Sequence, residues 1–155
     1  MKRFHVHLHV DDLATSVAFY SRLFSAQPTR TESDYAKWVL DDPRVNFAIS
    51  TPGNKTGLDH LGFQTDTEDE LNALKQAAEG AEMALIDEGE TTCCYAKSEK
   101  HWIVDPQGIP WEHFHTFGNI AVFNEHQQDA GGGVCCTPVH GKPIGIPVKS
   151  ASTCC

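Results

Sequence analysis

Odd-even alternation opens the chain. Phe4, Val6, Leu8 and Val10 are apolar, and His5, His7 and His9 occupy the alternate positions. A period of two marks a half-buried strand, with one face toward a core and the other toward something that tolerates imidazoles. The pattern returns further on, where His60-Leu61-Gly62-Phe63-Gln64-Thr65-Asp66 reads like His5-Val6-His7-Leu8-His9-Val10-Asp11. Each strand runs into a helical period. In the first copy Leu13, Val17, Phe19, Tyr20, Leu23 and Phe24 recur at i+3/i+4 spacing, after Asp11 and Asp12, which favour a helix start. In the second, Leu71, Leu74, Ala77 and Ala78 follow the acidic opening Thr67-Glu68-Asp69-Glu70, and Gly80 supplies a stop. Three short β-like runs come after each helix, at residues 28–31, 36–40 and 45–50 and then at 84–87, 94–104 and 109–117.

The spacing therefore predicts a β-α-β-β-β unit used twice. Trp38-Val39-Leu40-Asp41 before Pro43 parallels Trp102-Ile103-Val104-Asp105-Pro106, each turning into the last strand of its copy. The expected class is α+β: two modules, about 1–52 and 56–117, curling their strands into one concave mixed sheet with the helices outside. Residues 51–55, with Pro52 and Gly53, read as the linker. From Gly118 on, Gly131-Gly132-Gly133, Pro138, Pro143, Gly145 and Pro147 interrupt any period, so residues 118–155 are expected to form a flexible tail.

Composition narrows the partners. The 155 residues fit one domain, and 12 basic against 21 acidic residues give a formal charge of −9. That balance argues against nucleic acid and anionic membrane surfaces, which select a basic face. No apolar run is long enough to span a bilayer, and the N-terminus enters the first strand without an apolar signal segment. The expectation is a cytoplasmic protein with reduced thiols.

Those thiols are arranged unusually. All six cysteines fall in adjacent pairs, Cys93-Cys94, Cys135-Cys136 and Cys154-Cys155. Neighbouring Cα atoms stand about 3.8 Å apart, whereas a relaxed disulfide wants roughly 4.4–6.8 Å. Two thiols side by side suit the gripping of one soft, thiophilic atom; burial or cross-linking to other cysteines is the plainer reading, above all for the two tail pairs. In a flat strand the side chains of residues 93 and 94 would point to opposite faces. The pair is therefore expected in a loop, bulge or strand end, near Gly89 and the polar Glu90-Thr91-Thr92 run. Residues 97–100, Lys-Ser-Glu-Lys, read as a solvated turn or a lid beside it.

His5 and His60 hold matching positions in the repeat, so a pseudo-twofold axis would bring them together at the mouth of the cup, where they could share a divalent ion. His7 and His9 share the side of His5, and His7 is the substitute should His5 not be the ligand. A third ligand is expected from the closing strand, where Glu112 sits in Pro110-Trp111-Glu112-His113-Phe114. A carboxylate in such apolar company needs a charge partner, either a metal or a Lys or Arg. The equivalent stretch of the first copy, Asn46-Phe47-Ala48-Ile49, has no acid. Two histidines and one carboxylate leave coordination positions open, the arrangement that non-haem Fe(II) uses; zinc, nickel and manganese also suit it. Tyr95, His101 and His113 are candidates for proton transfer or for purely structural roles.

With these segments together, the chain resembles the vicinal oxygen chelate superfamily over roughly residues 3–117. The resemblance is carried by the stretch from His5 to Phe24, by Leu58-Asp59-His60-Leu61-Gly62, and by Asp105-Pro106-Gln107-Gly108-Ile109-Pro110-Trp111-Glu112. The superfamily includes glyoxalase I, extradiol dioxygenases and resistance proteins. Within it, Thr91-Thr92-Cys93-Cys94-Tyr95-Ala96, with Tyr35-Ala36 upstream and Pro110-Trp111-Glu112 downstream, resembles the C–As lyases and cadmium-induced proteins of heavy-metal resistance. That likeness implies an Fe(II)-dependent dioxygenase that cleaves the C–As bond of trivalent organoarsenicals. Cys93 and Cys94 would be arsenic ligands and His5, His60 and Glu112 the iron ligands, acting catalytically through the metal. Many relatives carry Gln where this chain has His5. A cadmium- or arsenic-binding protein without turnover, or another dioxygenase, remains the alternative, as does either a monomer or a homodimer.

Overall fold

Backbone pairing puts the eight strands of the described residues into one sheet. The structure, a computed structural model, describes residues 1–51, 55–93 and 95–119. In chain order the elements are β1 (Arg3–His9), α1 (Leu13–Leu23), β2 (Arg30–Thr31), β3 (Tyr35–Asp41), β4 (Arg44–Ser50), β5 (Gly57–Thr65), α2 (Glu68–Gly80), β6 (Leu85–Cys93), β7 (Ala96–Val104) and β8 (Pro110–Asn119). Strand order is β2-β3-β4-β1-β5-β8-β7-β6. Each half places its first strand in parallel beside its last, β1 with β4 and β5 with β8, and the halves join through the antiparallel pair β1–β5. This is the doubled βαβββ cup, with the two repeat strands at its centre.

Local chemistry explains the helix starts. The Asp12 side chain accepts from the Thr15 N–H and the Thr67 hydroxyl from the Glu70 N–H, satisfying donors that the first helical turn leaves open. Glu68, Asp69 and Glu70 then sit at the positive end of the α2 dipole. Leu13, Val17, Tyr20 and Phe24 of the first helical segment pack onto buried Ala36, Trp38, Phe47 and Ile49, together with Val6 and Leu8 from the outer side of β1. The helices thus cover the convex face of the sheet. Among the described residues no helix is long and apolar enough to cross a membrane.

The concave face departs from the usual polar-outside pattern. His5, His7 and His9 are all buried, more so than Val6 and Leu8 on the apolar side. Two expectations change here. Residues 88–92, beyond the expected run 84–87, continue β6 to a strand end at Cys93, and residues 97–100, inside the expected run 94–104 but also read as a solvated turn or lid, lie within β7. The register from Leu85↔Ile103 to Cys93↔Ala96 supplies the backbone partners, so pairing rather than side-chain preference decides strand membership. Gly89, with φ of 61°, marks an irregularity within β6 instead of ending it. Ser98 and Lys100 consequently face into the cup and are buried.

Candidate metal centre

Three side chains from the middle of the sheet meet at one point. His5 on β1, Gly62 on β5 and Glu112 on β8 lie level across adjacent strands, and His60 stands two residues before Gly62. Gly62 has to be glycine: a Cβ there would stand 1.9 Å from the Glu112 carbonyl oxygen. Its bare backbone lets β5 and β8 approach and leaves the space that the three functional groups share. His5 Nε2 is 3.0 Å from His60 Nε2, and Glu112 Oε2 is 3.3 Å from His60 Nε2 and 3.6 Å from His5 Nε2.

The other end of each side chain is held. His5 Nδ1 donates to the Asn46 carbonyl at 3.0 Å, His60 Nδ1 to Asp59 Oδ2 at 2.6 Å, and Lys100 Nζ donates to Glu112 Oε1 at 2.9 Å. Each outer contact leaves Nε2, Nε2 and Oε2 to face inward. Histidine ligands with their second nitrogen tied to a carboxylate or carbonyl are the usual outer support of a metal site. The separations fit three ligands about 2.1 Å from one centre, at angles of roughly 90° to 120°. Without a cation, two imidazole nitrogens at 3.0 Å need a proton between them. The charges show this: burial alone would lower His60, yet the Asp59 and Glu112 carboxylates raise it to about 9. Burial, reinforced by His60, pushes His5 down to about 4. Burial would raise Glu112, but Lys100 and His60 hold its carboxyl well below the usual range. The donor set therefore fits a divalent ion in place of that shared proton.

The centre lines a cavity whose walls include Tyr35, Lys37, Ala96, Ser98, Lys100 and Phe114. Cys93 ends β6 opposite Ala96, while Cys94 lies outside the described residues, as do Cys135, Cys136, Cys154 and Cys155 and everything from residue 120 on. Tyr95 is buried with φ of 62°. Its hydroxyl donates to Asp34 and its carbonyl accepts from Arg30 Nη1 at 2.9 Å, tying this turn to the first module. Burial and the Asp34 carboxylate raise its phenol well above the ordinary value, which keeps it a donor. His101 and His113 bond each other at 3.0 Å on the sheet face opposite the cup, away from the cavity.

His7 stays outside the triad, with Nε2 on Ser50 Oγ at 2.9 Å. Two participants were missed from the sequence. Lys100 lies in the expected β-like run 94–104, but the polar Lys97–Lys100 stretch gives no sign that this lysine points into the cup. Asp59 had no signal: the register passes from His7↔His60 to Leu8↔Leu58, so Asp59 is the extra residue of a bulge, which lets it reach the imidazoles.

A sequence profile of the glyoxalase/bleomycin resistance protein/dioxygenase superfamily matches residues 2–113. The chain belongs to that superfamily. Among its relatives is a protein of Bacillus sp. strain MD1 named trivalent organoarsenical cleaving enzyme, 36% identical over 167 residues that cover 100% of this chain and 99% of the relative. The cadmium-induced protein CadI of Mycobacterium tuberculosis strain H37Rv is 34% identical over 145 residues, 88% of this chain and 93% of that one. The Mn(II)-bound glyoxalase of Novosphingobium aromaticivorans aligns with a TM-score of 0.54 at 16% identity, over 79% of this chain and 43% of that one. This last likeness establishes the superfamily fold.

Proposed function

We propose that the protein is an Fe(II)-dependent, dioxygen-using C–As lyase that converts trivalent organoarsenicals to arsenite. His5, His60 and Glu112 are the iron ligands and Cys93 and Cys94 the arsenic ligands. The observation that carries the reading is the convergence of His5 Nε2, His60 Nε2 and Glu112 Oε2 within 3.6 Å of one another, each with its other end held. The 36% identity to an organoarsenical cleaving enzyme over the whole chain supports the substrate class. Fe(II) bound to such a triad keeps positions open and supplies the redox chemistry that dioxygen requires.

The chain's own residues do the rest. Two neighbouring thiols displace both hydroxyls of an arsonous acid as water, forming two S–As bonds and leaving the C–As bond intact. The termination of β6 at Cys93, opposite cavity-lining Ala96, supports capture at the cavity edge. Phe114 and Tyr35 offer apolar wall to the organic group. Lys100 and Asp59 keep Glu112 and His60 aimed inward, so that both reactants are held rather than met by diffusion. For methylarsonous acid and one dioxygen, the atoms balance as arsenous acid plus formaldehyde. Capture by two free thiols needs them reduced, which supports a cytoplasmic setting for this reading.

The likeness to CadI favours a second reading, sequestration of cadmium or arsenic without turnover. One experiment separates them. Iron-loaded protein is mixed with methylarsonous acid with and without oxygen, and arsenic species are resolved chromatographically. Arsenite only in the aerobic, iron-containing sample is the lyase result. Bound but unchanged methylarsenical in every sample is the sequestration result and overturns the lyase.

A further inference from the structure

Beside the triad lies a second cluster, of which the proposed function uses only Asp59. His7 and His9 on β1, Ser50 on β4 and Asp59 on β5 close a ring of four polar links. His9 Nε2 is 3.1 Å from Asp59 Oδ1, His9 Nδ1 is 3.1 Å from Ser50 Oγ, His7 Nε2 is 2.9 Å from Ser50 Oγ, and His7 Nδ1 is 3.6 Å from Asp59 Oδ2. With one proton on each imidazole, the two rings and the hydroxyl bring three protons to these four links, and the carboxylate brings none. If His9 donates to Asp59, Ser50 donates to His9 and His7 donates to Ser50. His7 Nδ1 is then a bare lone pair aimed at a carboxylate oxygen, across the longest gap of the four. His7 is 1% exposed, so bulk water does not relieve this contact.

A cation fills such a gap. Nitrogen and oxygen donors 3.6 Å apart fit two ligands about 2.1 Å from a shared ion. His60 completes the set, since one donor atom each from His7, Asp59 and His60 lie within 4.8 Å of one another. Its Nε2 already faces the triad, leaving Nδ1, now on Asp59 Oδ2, for this side. We propose that a second divalent cation of the zinc class binds His7 Nδ1, Asp59 and His60 Nδ1 next to the triad. His9 and Ser50 steady Asp59 and His7 from behind. Binding releases the His60 Nδ1 proton to solvent, and with both sites filled the imidazolate of His60 joins the two ions.

Cobalt(II) is the probe. Metal-free full-length protein is alkylated with iodoacetamide, so that sulfur does not compete, and bound cobalt is counted by equilibrium dialysis and elemental analysis. The expected result is two equivalents per chain, falling to one in His7→Ala and in His7→Phe, each checked for fold by circular dichroism. The ring-shaped variant guards against collapse of the site in the smaller one. Glu112→Gln should likewise retain one equivalent. A single equivalent in the unsubstituted protein, or two equivalents persisting in a folded His7 variant, overturns the proposal.

Discussion

Gly62 and Glu112 face each other so closely that a methyl group on Gly62 would stand 1.9 Å from the Glu112 carbonyl oxygen. No rotamer change relieves this, because both parties are backbone. Gly62→Ala should therefore push β8 from β5, carry Glu112 away from the histidines and cost at least tenfold in metal affinity, read by cobalt titration. Gly118 is the control. A Cβ there meets only Lys97 Cβ at 3.6 Å, an ordinary contact, so Gly118→Ala should leave affinity unchanged.

Lys100 is 2% exposed and pairs with Glu112 Oε1. Removing one partner of a buried pair strands the other charge and costs about 3–5 kcal/mol. Lys100→Met should lower the unfolding free energy by that order in metal-free protein. A bound divalent ion also neutralises Glu112, so the loss should shrink when cobalt is present. Equal losses with and without metal, measured by urea denaturation, would contradict this role.

Asp59 holds His60 through Nδ1 at 2.6 Å. Asp59→Asn keeps the shape and removes the charge, and loss of an outer partner typically costs 10–100-fold in metal affinity. The expected outcome is a weakening of that order at the triad, with secondary structure unchanged by circular dichroism.

Acid should destabilise the fold through the His101–His113 pair as well. Burial, reinforced by His101, holds His113 at about 4, below its ordinary value of 6.5, and burial lowers His101 too. The unfolded chain therefore binds more protons between these values, so this stability is intact above about pH 6.5 and is lost as pH falls toward 4. At about 1.4 kcal/mol per pH unit, the loss for His113 reaches at most about 3.5 kcal/mol, less where solvent screens the ring. Urea midpoints of metal-free protein should fall more steeply over that window than those of His113→Gln. Matching slopes would exclude the pair as a contributor.

Much of this arrangement is legible in the amino-acid sequence. Alternation and the His5/His60 repeat mark the two central strands, and i+3/i+4 spacing marks both helices, with Asp12 at the start of the first and the acidic opening from Thr67 at the start of the second. Glu112 emerged because a carboxylate between Trp111 and His113 needed a partner, and the structure supplies one in Lys100 while leaving Oε2 facing the histidines. The hidden part was the second hairpin. Glu88 to Cys93 and Lys97 to Lys100 look like loop because their side chains are polar, yet a cup buries polar groups on its concave face once a partner exists there. Asp59 was hidden for a different reason: a bulge breaks the period of two by which strand faces are read.

Lyase activity requires an arsenic-binding thiol pair within reach of an ion on His5, His60 and Glu112. The most direct measurement of that proximity is the electron paramagnetic resonance of the anaerobic Fe(II) protein with nitric oxide, a paramagnetic stand-in for dioxygen, before and after methylarsonous acid. A changed iron–nitrosyl signal is expected in the unsubstituted protein and an unchanged one in Cys93→Ser, with the same iron content in both. An unsubstituted protein that binds the arsenical with an unaltered signal would contradict the proximity.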